Sequence, residues 1–338
     1  MGAADQLQED PPVGIPGSEG VQVFKLKLLT LVLMLKNAFF FQAGVGVSAN
    51  TFLLFFLIFR IFTDCWLKPT DLITCHLAFI HLVMLLCAVH FLSSDLFESL
   101  NFQNDFKCKA LFYLTRVMRG LSICNTCLLS MLQAITISPS TSWLARFKHK
   151  FANYIVHVLF FYWSLNLSSS SILILHTVAL SNMTQTNLLK VGKYCSLSPM
   201  NSIIRGLVFI LSLSQSVFFV GMMLLSSTYM VILLLKHQKR SQHLHSTNLS
   251  LRAFAEKRAT QTILLLVSCF VFMYLVDIMI SSSLTMLWAY NPIILDIQNI
   301  VANLYATVCP LIQISSDKRI IYFLKKYTTK IPSMLIRV

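Results

Sequence analysis

Seven stretches of this chain stay apolar for about twenty residues or more, the length an α-helix needs to cross the hydrocarbon core of a bilayer. They lie within residues 36–62, 69–91, 108–135, 152–175, 201–235, 259–288 and 292–315. Hydrophobic residues make up 56% of the chain and charged residues only 12%, where a soluble domain carries about a quarter charged. The mean hydropathy is +0.70. This pattern predicts an all-α membrane protein, a seven-transmembrane helix bundle. The net charge of +14 does not point to nucleic acid, because the basic residues sit in short connections between apolar runs rather than along one face. Most of them, including Arg60, Arg146, Lys148, Lys236, Arg252, Arg258 and Arg319, fall in alternate connections and at the C-terminal end. Cytoplasmic loops attract such an excess, so the N-terminus is expected outside and the C-terminus in the cytoplasm.

Residues 1–20 are acidic and rich in proline and glycine, a composition that favours disorder. From Phe24 to Phe62 the chain is almost continuously apolar, twice the length of one span, and Lys36-Asn37 interrupts the run. Residues 1–33 are therefore read as an extension, 34–316 as the bundle, and 317–338 as a basic cytoplasmic tail. In that tail Ile320, Ile321, Leu324 and Tyr327 share one helical face beside lysines, the pattern of a helix lying along the inner leaflet. No long internal repeat is visible and the number of spans is odd, which disfavours an inverted-repeat transporter.

The third run carries Thr115, Arg119, Ser122, Thr126, Ser130 and Gln133 at steps of three and four, one polar stripe down an otherwise apolar helix. Such a stripe belongs inside a bundle. Ionisable groups in spans are expensive and point to function by default. Arg119 lies eleven residues below Cys108, and Asp277 eleven from Trp288, so both sit about 16 Å below the outer ends of their helices. Arg116 is one turn above Arg119. The three are candidates to line a ligand pocket and read a polar or anionic head group; the alternative is an Arg119–Asp277 pair that locks two helices together.

Of the nine cysteines, most fall in apolar runs, where a thiol is a small hydrophobe. Cys124 and Cys127 form a C-x-x-C without the second pair a zinc site needs. Cys108 and Cys195 fall in outer segments, where a disulfide would pin the second outer loop over the bundle mouth; the alternative is two free thiols. Asn182 begins a sequon in that loop and is a candidate glycosylation site, whereas the sequons at Asn166 and Asn248 fall in a span and on the cytoplasmic side. His76 and His81 are five apart, about 140° on a helix, which suits packing or hydrogen bonding better than a metal pair. No paired carboxylates, Ser-His-Asp grouping or Gly-rich phosphate loop stands out. No enzyme activity, metal or cofactor is expected.

Several longer motifs resemble the vomeronasal type 1 receptor family. CLLSMLQAITISPSTS and FYLTRVMRGLSIC in the third run, KPTDLITCHLAFIHLVML in the second, RATQTILLLVSCFVF in the sixth and ISSDKRI after the seventh are similar to that family's signatures. The resemblance implies a G-protein-coupled, pheromone-type chemosensory receptor in the plasma membrane of vomeronasal sensory neurons. It implies a small-molecule ligand and an inhibitory-class heterotrimeric G protein. The G-protein-facing residues are expected to include Gln133, Ser138, Arg146, Lys148, Arg252 and Arg258. Departures are Thr115, where many members have histidine, and Ala306 and Cys309, where the family has a proline and a serine. The alternatives are a polytopic transporter, or a degenerate member that no longer signals.

Overall fold

The computed structural model describes residues 18–63, 68–93, 105–139, 147–179, 189–190, 195–197, 201–242, 261–262, 264–280 and 292–324. Seven long helices lie among these residues: α1 (Ser18–Thr63), α2 (Pro69–Ser93), α3 (Asp105–Ile137), α4 (Phe147–His176), α5 (Ser202–Gln242), α6 (Leu264–Ile280) and α7 (Pro292–Ser316). Five contain stretches long and apolar enough to cross a membrane, in α1, α2, α3, α5 and α7, and α6 is a shorter apolar helix. The bundle is helical, but the connection between α4 and α5 adds a small antiparallel sheet that the sequence reading does not assign. Its strands are β1 (Thr177–Ala179), β2 (Leu189–Lys190) and β3 (Cys195–Leu197), in the order β1-β3-β2, with Ala179 opposite Cys195.

α3 is the axis of the bundle. Its apolar window is 83% buried, against 12% for that of α5, and it packs along α2, α4 and α5. Leu121, Cys124, Cys127 and Leu128 form its buried centre, so the C-x-x-C thiols are packing groups. The polar stripe meets a different helix at nearly every step. Ser122 Oγ and His81 Nε2 share a hydrogen bond at 2.9 Å, Thr126 Oγ1 and Tyr305 Oη one at 3.2 Å, and Ser130 Oγ and Ser226 Oγ one at 2.6 Å. Just off the stripe, Trp163 Nε1 donates to His76 Nε2 at 3.0 Å, and His76 Nδ1 lies 2.9 Å from Asn125 Oδ1. An indole nitrogen only donates, so His76 is the Nδ1-protonated tautomer and its ring ties α2, α3 and α4 together. The two histidines thus serve separate inter-helix contacts, as their spacing predicts.

α7 contains Pro310, which has no N–H to give to the carbonyl of Ala306 one turn earlier. Asn50 of α1 fills that gap. Its Nδ2 donates to Ala306 O at 2.8 Å and also to Gly46 O at 2.8 Å. Gly46 lets the helices approach this closely: a Cβ there would stand 2.7 Å from both Leu85 Cδ1 and Thr307 Oγ1. α1 has 46 residues and is about 69 Å long at 1.5 Å per residue. It runs helically through Lys36-Asn37, read above as an interruption, and its first turns leave Leu26, Leu29 and Leu33 exposed.

After α7 the chain turns at Asp317 into a short helix, residues 318–324. Asp317 caps it: Oδ1 accepts from the Arg319 backbone N at 2.8 Å. The Arg319 guanidinium binds Asp317 at 2.7 Å and grips both oxygens of Asp71, in the first turn of α2, at 3.0 Å each. Ile320, expected on a lipid-facing surface, is instead 1% exposed and packs with Leu53, Leu57 and Ala78. The Arg319 fork draws the helix against α1 and α2, and this turns Ile320 inward. Tyr322 remains 70% exposed. Burial disfavours the Asp317 anion, but hydrogen bonds and charge from Arg319 outweigh it and hold this carboxyl below its ordinary range.

Two outcomes are expected in thermal melts of the purified protein. Asn50→Leu, which leaves the Ala306 carbonyl without a donor, should cost about 1–3 kcal/mol. The Asp317 contribution should be fully present at neutral pH, above the unfolded carboxyl value of about 4, and lost as pH falls through the lower folded value; Arg319→Gln should flatten that acid limb.

Candidate functional site

The two candidate arginines and the candidate aspartate meet at one place. Arg116 and Arg119 are three residues apart on α3 and so share a face; Asp277 comes from α6. Arg119 Nη1 donates to Asp277 Oδ2 at 3.0 Å. Asp277 is 6% exposed, and its Oδ1 has no hydrogen-bond partner among the described residues. Arg116 Nη2 donates to Ser212 Oγ of α5 at 2.7 Å, a neutral acceptor. The pairing alternative is therefore realised for Arg119, while Arg116 reaches a different helix.

These groups line a cavity of about 230 Å³ between α3, α4, α5 and α6. Its wall also holds Asn166, Ser169, Ser170, Gln215, Ser216 and Tyr274. Ile123, Leu213, Phe219 and Ile278 supply apolar surface. Two guanidiniums face one carboxylate in this lining, which leaves one positive charge in excess. A second cavity, of about 30 Å³, lies against α2 and α7 and shares Arg119, Ile123, Tyr274 and Asp277 with the first. The Arg119–Asp277 pair therefore forms part of the partition between the two.

Asn166 closes the floor of the larger cavity, a role its sequon does not suggest. It is 2% exposed. Its Nδ2 donates to Tyr162 O at 2.8 Å, and its Oδ1 accepts from Gln215 Nε2 at 3.1 Å. Gly120 on α3 gives it room: a Cβ there would overlap the Asn166 amide, with Cγ 2.9 Å away. Gly120 leaves a gap on a helix otherwise rich in bulky residues, but nothing in the sequence says which side chain fills it.

The remaining candidate residues lie elsewhere. Gln133 and Ser138 are buried at the opposite end of α3, 7% and 8% exposed, and Ser138 Oγ shares a 3.0 Å hydrogen bond with Tyr229 Oη. Lys148 lies in the first turn of α4 and Cys108 in the first turn of α3, while Cys195 begins β3; their side chains, together with Asn182, Arg146, Arg252 and Arg258, lie outside the described residues.

Removing either member of the Arg119–Asp277 pair strands a largely buried charge, an effect of about 3–5 kcal/mol. Arg119→Ala and Asp277→Ala should each lower thermal stability, and the double variant should lose less than the sum of the two; additive losses would refute the coupling. Gly120→Ala should destabilise by about 1–3 kcal/mol by displacing Asn166, measured in the same melts.

Comparison with known proteins agrees with this architecture. The model of the vomeronasal organ pheromone receptor family matches residues 33–326. Vomeronasal type-1 receptor 90 of Rattus norvegicus is 45% identical over 291 residues, 86% of this chain and 93% of the relative. Vomeronasal type-1 receptor 45 of Mus musculus is 41% identical over 86% of this chain and 91% of its own length. Vomeronasal type-1 receptor 94 of Rattus norvegicus is 39% identical over 88% and 90%. With matches this extensive, over the whole helical bundle, the chain belongs to the vomeronasal organ pheromone receptor family.

Proposed function

We propose that this receptor binds a small pheromone-like molecule in the cavity bounded by Arg116, Arg119 and Asp277 and passes the signal to an inhibitory-class G protein. The cavity itself carries the reading. It combines an apolar lining, a set of hydroxyl and amide groups and an excess positive charge inside an otherwise hydrocarbon-facing bundle, the composition of a site that orients an amphipathic molecule by a few polar contacts. Arg116 is the group to receive a polar or anionic head, because its neighbour Arg119 is already engaged by Asp277.

In this reading seven helices cross the plasma membrane of a vomeronasal sensory neuron, with the N-terminus outside and the C-terminus in the cytoplasm. The 177–197 sheet then lies at the outer mouth. β1 rests against α3 and pairs with β3, which supports a Cys108–Cys195 disulfide; Asn182, in the same connection, would carry a glycan. At the other end Arg146, Lys148, Arg252 and Arg258 would face the G protein, while Gln133 and Ser138, also expected there, are buried and would act from behind that surface. The Ser138–Tyr229 and Ser130–Ser226 bonds supply a route from the α3 axis to α5 at that end.

The test is a signalling assay in cells that display the tagged chain, against a panel of small volatile and steroidal compounds. A ligand-dependent response blocked by a toxin specific for inhibitory-class G proteins is expected, and Arg116→Ala should weaken it at least about tenfold, in line with the loss of a charged hydrogen bond of roughly 1.5–3 kcal/mol, while surface display is retained. A response unchanged by Arg116→Ala would remove the cavity from the proposal. A response insensitive to the toxin would remove the G-protein class.

A further inference from the structure

We infer that the Arg116 cavity opens sideways into the bilayer between α4 and α5, and that its ligand is a membrane-partitioned amphiphile that enters by this opening; the inference rests on the reading of that cavity as the ligand site. α4 and α5 each lie along α3 but, among the described residues, touch one another only sparsely. They meet at the cavity floor. There the Tyr162 and Phe219 rings stand edge to face at 5.5 Å, and Gln215 reaches Asn166.

One turn nearer the sheet both helices carry exposed residues. Leu211 lies four residues before Gln215, on the same side of α5, and is 52% exposed. Across from it Ser169, three residues after Asn166, lines the cavity and is also exposed. Ser170 beside it lines the cavity too but is 4% exposed. A wall residue that is both cavity lining and exterior surface, with an uncovered leucine on the side of α5 that meets α4, marks an aperture.

The rim suits a hydrocarbon solvent. Leu211 supplies an apolar edge. Ser169 at the rim turns its hydroxyl back onto its own helix, Oγ donating to Asn166 O at 3.3 Å. That hydroxyl is not left unsatisfied toward lipid, where it would be costly. Behind the rim lie Ser212 and Arg116, polar groups that an amphiphile's head would reach while its apolar body follows. The volume of about 230 Å³ falls short of the roughly 300–1,000 Å³ that encloses a drug-sized ligand, so part of a larger body would remain in the opening.

The experiment needs no identified ligand. Ser170→Cys is introduced into the full chain, reconstituted in proteoliposomes, and its modification is measured above that of the unsubstituted chain. Two probes are compared, each corrected for its rate with a free thiol: pyrene maleimide, which dissolves in the bilayer, and a sulfonated maleimide supplied in the water on both sides. The apolar probe is expected to label the introduced thiol several-fold faster than the charged one, and adding Leu211→Trp should slow the apolar probe several-fold. Labelling by the charged probe at an equal or greater rate would overturn the lateral route and leave the cavity a water-mouthed ligand site. An apolar rate unmoved by Leu211→Trp would also overturn it. Labelling by neither probe would overturn both the opening and the cavity.

Discussion

In hydrocarbon a polar group has no water to turn to, so each one inside the bundle must find its partner within the protein. That constraint explains why α3 is at the centre. Its stripe of hydroxyl, amide and guanidinium groups has to be surrounded, and each step of the stripe recruits a helix: α6 at Arg119, α2 at Ser122, α7 at Thr126, α5 at Ser130. Apolar packing alone does not select one helix arrangement over another in lipid, since side chains gain little by exchanging acyl chains for leucines. The directional bonds along α3 supply that choice. Close contact at Gly46 and Gly120 then sets how near the helices come.

The same requirement links backbone to side chain at α7. Pro310 leaves one carbonyl without its helical partner, and Asn50, far away in sequence, supplies a donor. Just beyond the C-terminal end of that helix, Arg319 joins Asp317 of the connecting turn to Asp71 of α2. The two contacts hold α7 and its short continuation against α1 and α2 at different depths. The bundle is thus anchored on one side by this α1–α2–α7 group, while α4 and α5 stay only loosely coupled to each other.

Much of the fold could be read along the chain because the spans are long and the stripe on α3 has an unambiguous period. Arg116, Arg119 and Asp277 could be found for the same reason: charges in apolar runs stand out, and matched depth suggested that Arg119 and Asp277 meet. Asn50, Asn166 and Gln215 did not stand out. Each is a neutral amide whose importance depends on a group contributed by another helix: a freed carbonyl for Asn50, a missing Cβ for Asn166, a facing oxygen for Gln215. Pairing of this kind has no local signature. The Asp71–Arg319 fork was half visible, since both residues lie in motifs that resemble the family, but nothing in either motif says that they touch. Ile320 was misplaced because helical periodicity identifies an apolar face without saying whether protein or lipid covers it.

Asn166 and Gly120 form a fitted pair at one end of the proposed ligand cavity, whereas Ser169, Ser170 and Ser216 are small lining side chains that take part in none of the bonds named along α3. The scaffold and the chemical reader are therefore separable parts of one molecule. Exchanging those three serines would reshape what the proposed site recognises without touching the bonds along α3, whereas Ser212 holds Arg116 and belongs to the scaffold. A lineage that must keep pace with changing odour cues could retune its receptors there, one small side chain at a time, on an unaltered frame.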